Sequence, residues 1–197
     1  MTTAAARPAA EALPQEDAIV RAACAGNPRA FNGLVQLYQR RLYNYTYRMV
    51  GNADDACDIT QEAFVRAWRN IASFRVGEPI APWLYRIAHN LCIDHLRRKP
   101  NTLSLDVEME EGRDPADKTA DPERSAQDCE TRRVINAAIA DLPEKYRAVM
   151  LLRHGRGMPL EEIAESLSLP LNTVKVHLFR AREQMRTRLQ GVLEVGE

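Results

Sequence analysis

The chain has 197 residues, 45% hydrophobic and 27% charged, enough for one ordinary domain or two small ones with a true core. No window approaches the roughly 18 uninterrupted apolar residues of a membrane span. The opening MTTAAARPAAEALPQED lacks the apolar core of a secretion signal, so a cytoplasmic protein with no membrane insertion is expected. The charge sums to zero, 27 basic against 27 acidic residues, but it is laid out in blocks. From Arg66 to Lys99 seven basic residues face two acidic ones, and from Leu142 to Gln190 nine face five. Between them, from Pro100 to Glu130, ten acidic residues stand against three basic. Two basic blocks held apart by an acidic one suit two surfaces for a polyanion.

Residues 1–14, rich in Ala and Pro, read as a flexible tail. Ile59, Ala63, Phe64, Ala67, Trp68 and Ile71 then recur at helical spacing, as do Leu84, Ile87, Ala88, Leu91 and His95. Cys24, Cys57, Cys92 and Cys129 are scattered without a CxxC pair, which gives no disulfide framework. His89, Cys92 and His95 lie three residues apart on one predicted helix. Ordinary interior residues explain that spacing better than a metal site, so no metal and no cofactor are expected.

The stretch 101–124 mixes Asp, Glu, Gly and Pro without helical period and reads as a linker. Asp121-Pro122-Glu123 then resembles a helix start, with a cap, a first-turn proline and a carboxylate at the positive end of the dipole. Val134, Ile135, Ala138, Ile139 and Leu142 form one further stripe, Leu160, Ile163, Ala164 and Leu167 another, and Val174, Leu178, Ala181 and Met185 a third. Alternating strand patterns are absent. The expected fold is all-α: two small helical domains joined by a flexible acidic linker.

The last two stripes sit in PLEEIAESLSLPLNTVKVHLFRAREQ. Glu161 and Glu162 open the first helix, Pro170 disfavours helix at Leu169, and Asn172 or Thr173 is expected to cap the second. Two helices joined by so short a turn form a helix-turn-helix, whose second helix reads base edges in the major groove. Packing Val174, Leu178 and Ala181 inward leaves Thr173, Lys175, Val176, His177, Phe179 and Arg180 outside or at the edges. Lys175 and Arg180 suit guanine or phosphate, and Val176 and Phe179 a thymine methyl. A solvated basic face with Phe179 packed on a neighbour is the plainer alternative.

Two upstream stretches narrow the choice. DITQEAFVRAWRNIASFR (Asp58 to Arg75) is an amphipathic helix with Asp58, Gln61 and Glu62 on its outer face. PWLYRIAHNLCIDHLRRKP (Pro82 to Pro100) shows Arg86, Asn90, Asp94 and Arg97 opposite its apolar stripe, then Arg97-Arg98-Lys99. With LPEKYRAVMLLR and the final helix pair following in order, the chain resembles a bacterial extracytoplasmic-function (ECF) sigma factor from about Asn27 to Leu189.

That resemblance implies a transcription initiation factor, not an enzyme, whose partners are core RNA polymerase, promoter DNA and a cognate anti-sigma factor. It implies a region-two domain at 15–99, a linker at 100–124 and a region-four domain at 125–193. It also implies polymerase contacts at the beta-prime clamp helices and the beta flap. Asp58, Gln61, Glu62 and Trp68 match the helix that docks on the clamp helices, although Trp68 suits a core position equally well. The loop Arg75 to Ala81, with Trp83, Arg86 and Asn90 beside it, matches the reader and melter of the minus-ten element. Capture of an unstacked base there would offset the cost of unpairing. Arg97, Arg98 and Lys99 would hold phosphates. Thr173, Lys175, Val176, His177, Phe179 and Arg180 fall at the minus-35 reading positions. RVGEPIAP, with Pro79 and Pro82, departs from the usual wording of the loop, as do Asn172, Val176 and His177 in the reading helix, where the family commonly has Gly, a small polar residue and Arg. The acidic segment is too short for the extra middle domain of primary sigma factors. A stand-alone helix-turn-helix regulator is the principal rival; an enzyme would need a nucleophile–base pair, metal set or phosphate loop that does not appear.

Overall fold

The computed structural model describes residues 14–98 and 134–194. The opening tail up to 13, Lys99, the acidic segment, Cys129 and the expected helix start at Asp121 lie outside the described residues. The helices are α1 (Pro14–Cys24), α2 (Pro28–Val50), α3 (Ala53–Asn70), α4 (Ile80–Arg98), α5 (134–140), α6 (Glu144–Arg156), α7 (Leu160–Leu167) and α8 (Leu171–Glu194). A single 3-10 turn, Ile71–Ser73, follows α3. Among the described residues extended pairing is limited to one isolated bridge, Val76 to Glu78, so the all-α expectation holds.

Local chemistry sets the helix ends. The Asn27 side chain accepts from the amides of Arg29 (2.9 Å) and Ala30 (3.3 Å), and Pro28 occupies the first turn, where no amide donor is needed. Gly51 stops α2 with φ 77°, its amide bonding the Tyr47 carbonyl. Asn52 at once caps α3 by accepting from the Asp55 amide at 2.9 Å. This two-residue corner folds α2 and α3 into an antiparallel pair. The pair is pinned inside by Thr46 and Thr60, whose hydroxyls meet at 2.9 Å while Thr60 donates to the Ala56 carbonyl at 2.7 Å.

The core of the first half runs along Leu34, Tyr38, Leu42, Tyr45 and Met49 of α2, at intervals of three and four residues. Against it lie Ile59, Ala63, Phe64 and Ala67 of α3 and Leu84, Tyr85, Ala88 and Leu91 of α4. Tyr45 and Tyr85 meet edge to face at 5.3 Å.

In the second half α7 begins after Pro159 and ends at Ser168, which adopts φ 54°. The amides of Ser168 and Leu169 close back on the carbonyls of Glu165 (3.2 Å) and Ala164 (2.9 Å), a left-handed stop usually made by glycine. The helix after it starts earlier than expected. The Pro170 carbonyl accepts from the Val174 amide at 3.1 Å, so α8 opens at Leu171, and Asn172 and Thr173 lie inside its first turn instead of capping it. The backbone carbonyl of Pro170 supplies the first bond that a side-chain cap would otherwise precede. Val174, Leu178 and Ala181 point inward as expected, at 0%, 6% and 0% exposure.

The two halves touch. α7 packs on α4, and α6 packs on α2 as well as on α7 and α8. Most of the buried apolar residues described form one cluster that runs from Val20 to Ala181.

Candidate nucleic-acid interface

The second helix of the helix-turn-helix presents the expected residues. Val176 and Phe179 are 56% and 59% exposed, far more than large apolar side chains need be, and Lys175 and Arg180 flank them in solvent. Arg180 leans on Glu183 at 3.3 Å, a contact between well-exposed groups that contributes little and leaves the guanidinium free to re-pair. His177 differs from its neighbours. It is half-buried, its ring set edge to face on Tyr146 at 5.4 Å, and its Nδ1 is buried without a partner. Burial, with Lys145 nearby, pulls its pKa below the ordinary value, which favours neutral imidazole. Thr173 lies at the edge of the same face.

Between α3 and α4, Arg75 stands in solvent with Glu78 3.7 Å away, and Gly77 turns the loop with φ 102°. α4 starts at Ile80, so Pro82 lies in its first turn, where a missing amide is harmless, and stiffens the helix start more than the loop. Trp83 packs on Phe74 with ring centroids 5.4 Å apart, which braces the loop's exit. Asn90, Arg97 and Arg98 are exposed along α4. Arg86 is engaged: its guanidinium donates to Glu165 of α7 at 2.8 Å.

On α3, Asp58 and Gln61 are exposed, and Gln61 reaches back to the Cys57 sulfur at 3.5 Å. Glu62 pairs with Arg66 at 2.7 Å. Trp68 belongs to both readings: it is 38% exposed, and its ring packs tilted against Phe31 with centroids 5.0 Å apart. Beside Gln61 the structure adds a groove of about 430 Å³ between α2 and α3, lined by Val35, Gln39, Tyr43, Cys57, Gln61 and Phe64. Its α2 wall went unread in the sequence, although Val35 and Gln39 lie four apart and so share one face of a helix.

His89 and His95 turn to different partners. His89 Nδ1 lies 3.0 Å from the Tyr45 hydroxyl, and His95 Nε2 lies 3.3 Å from an Asp55 carboxylate oxygen. Cys92 is fully buried, and burial pushes its thiol up to about 12. No three metal-type side chains converge among the described residues. No described helix is long and apolar enough to cross a membrane.

Residues 34–102 match the family model for sigma-70 region 2, and residues 132–185 match that for sigma-70 region 4. The sequence is 40% identical over 173 residues to the ECF RNA polymerase sigma factor SigW of Bacillus subtilis (strain 168), covering 85% of this chain and 92% of the relative. Among solved structures, CnrH in complex with the cytosolic domain of CnrY aligns with a TM-score of 0.68 at 25% identity, over 90% of this chain and 99% of CnrH. RpoE in complex with the anti-sigma factor NepR, from Bartonella quintana, aligns with a TM-score of 0.60 at 19% identity, over 81% and 96% of the two chains. At that identity the second likeness concerns the fold alone.

Proposed function

The chain belongs to the ECF sigma factors, which bind core RNA polymerase and direct it to promoters, and from that premise we propose how its two halves divide the work. The region-two domain, 15–99, docks on the beta-prime clamp helices through Asp58, Gln61, Glu62 and Trp68. It also opens the minus-ten element through the loop at Arg75, with Trp83, Arg86 and Asn90 around the captured base and Arg97, Arg98 and Lys99 on phosphates. The region-four domain, 125–193, reads the minus-35 element with Thr173, Lys175, Val176, His177, Phe179 and Arg180 and approaches the beta flap. The segment 100–124 joins them, behind a tail at 1–14.

The observation that carries this reading is the pair of apolar side chains, Val176 and Phe179, held in solvent between two cations on the second helix of a helix-turn-helix. A solvated basic face has no use for them. A major-groove reader does, because thymine offers a methyl group and guanine and phosphate offer acceptors. The chain itself makes and breaks no bonds of a substrate, works in the cytoplasm, and takes a cognate anti-sigma factor as its inhibitor. The aligned CnrH structure holds a protein partner of its own.

The test is promoter binding by the reconstituted holoenzyme. Lys175→Ala and Arg180→Ala are each expected to weaken binding about 5- to 150-fold, the equivalent of roughly 1–3 kcal/mol for a base contact, with core affinity unchanged. Equal loss of core affinity would remove the division of roles.

A further inference from the structure

Along α2, Arg41, Asn44 and Arg48 recur at intervals of three and four residues, so they share one face, and all three are exposed. The last turn of α6 meets that face, and between the two helices is a cleft of about 150 Å³ lined by Asn44, Tyr45, Arg48, Leu151, Gly155 and Arg156. Arginines in a last turn ordinarily settle on the carbonyls of their own helix end. Arg156 instead donates through Nη2 to the carbonyl of Arg41, in the middle of α2, at 2.9 Å. A guanidinium has further N–H donors in a planar fork, and this bond uses one of them.

The charges gathered there repel one another. Burial foremost disfavours the Arg156 cation; the Tyr85 hydroxyl favours it, and Arg41, Arg48 and Arg40 disfavour it further. Among the described residues no carboxylate pairs with Arg41, Arg48 or Arg156. The Tyr85 hydroxyl is buried without a hydrogen-bond partner, within reach of the charges of Arg156 and Arg41. A buried hydroxyl left unpaired is costly, and an acceptor seated between those arginines would serve it as well. Like charges at one spot, a recess between them and an orphaned donor nearby are what a protein presents to an anion.

We propose that the cleft between α2 and α6 binds a small anion bearing a diphosphate, held by the guanidinium groups of Arg48 and Arg156, with the Asn44 amide donating and Arg41 at the rim. The cleft is smaller than the roughly 300–1,000 Å³ of sites for drug-sized ligands, which suits an anion of few atoms. Guanidinium forks match carboxylate and phosphate alike. Three of them around one recess call for a ligand with more than one negative charge, and adjoining phosphates carry that charge in little volume. No Asp or Glu lines the cleft to hold a bridging metal, so the arginines neutralise the phosphates directly. Such a ligand touches α2 in the first half and α6 in the second, so its binding and their contact favour each other. The site uses none of the residues assigned to promoter or polymerase, and its test is independent of that assignment.

Isothermal titration of inorganic pyrophosphate, as the sodium salt without magnesium, into the free full-length chain tests the site. Physiological ionic strength screens any diffuse attraction. One saturable site is expected. Arg48→Met with Arg156→Met is expected to weaken it at least about tenfold, as for loss of charge-assisted bonds. Asn44→Asp, which leaves every arginine in place and sets a carboxylate in the cleft, is expected to do the same. Arg21→Met with Arg69→Met removes equal charge from exposed positions elsewhere on the first half and is expected to leave affinity within about twofold. Circular dichroism checks that each variant is folded. No saturable binding to the unmutated chain would overturn the site, as would equal weakening in the charge-matched control. Retained affinity in the folded Arg48→Met/Arg156→Met and Asn44→Asp variants would overturn its placement. Binding of a short oligothymidylate but not of pyrophosphate, lost with the same substitutions, would give the cleft to a nucleic-acid backbone and refute the small anion.

Discussion

His89 gives the most quantitative test of the packing. Its imidazole is enclosed among α2 and α4 with Nδ1 3.0 Å from the Tyr45 hydroxyl, and burial pulls its pKa from 6.5 down to about 4. A neutral ring with its proton on Nε2 accepts a hydrogen bond at Nδ1 from the Tyr45 hydroxyl; a charged ring would be a buried cation without a carboxylate. The folded-state pKa lies below the unfolded one, so the unfolded chain binds the extra proton first as pH falls. The stability contributed is therefore intact above about pH 6.5 and drains away between 6.5 and about 4. At pH 5 the loss is about 1.36 kcal/mol for each of 1.5 pH units, or about 2 kcal/mol relative to pH 7.5. His154 and His177 are also lowered by burial and pull in the same direction, so the comparison needs a control that removes His89 alone. Gln at 89 keeps an acceptor for Tyr45 and does not titrate. Urea unfolding followed by circular dichroism, at pH 7.5 and pH 5, is expected to show the unmutated chain losing about 2 kcal/mol more than His89→Gln. Equal losses would show that His89 is solvated and that the α2–α4 packing described here is wrong.

Ser168 occupies the left-handed stop between α7 and α8, where a side chain is strained. Ser168→Gly is expected to stabilise the chain by about 1 kcal/mol in the same unfolding assay, with promoter affinity retained. On the polymerase side, Gln61→Ala with Glu62→Ala should weaken core binding about 5- to 30-fold in a competition titration, equivalent to about 1–2 kcal/mol. Unchanged affinity would reduce that edge to a solvated face.

The period of apolar residues made much of the fold legible. Val174, Leu178 and Ala181 were readable as an inward stripe because a helix on one neighbour buries one stripe. The same rule hid the contact between the halves. A stripe reports that a face is covered and not by what, and α6 is covered on more than one. The signal was nonetheless present as AVMLL, five apolar residues in a row from Ala148 to Leu152, which a helix needs only when it is buried all round. α2 escaped because Tyr38 and Tyr45 carry two of its core positions, and tyrosines among arginines read as surface. The start of α8 was misplaced by two or three residues because Asn and Thr favour caps, whereas the backbone of Pro170 supplied the first acceptor.

At the candidate interface, exposure of Lys175, Val176, Phe179 and Arg180 followed from the stripe. The seating of His177 on Tyr146 and the capture of Arg86 by Glu165 depend on residues 31 and 79 positions away, beyond the reach of any local pattern.

As an ECF sigma factor, this chain gives core RNA polymerase a choice of promoter. The most direct measurement is run-off transcription by bacterial core polymerase on fragmented genomic DNA of the source bacterium, with the 5′ ends of the transcripts mapped, with and without the purified chain. A discrete set of new 5′ ends is expected in the presence of the chain, each preceded by the same two sequence elements at a constant spacing, and their loss with Lys175→Ala/Arg180→Ala. The same 5′ ends with and without the folded chain would contradict it.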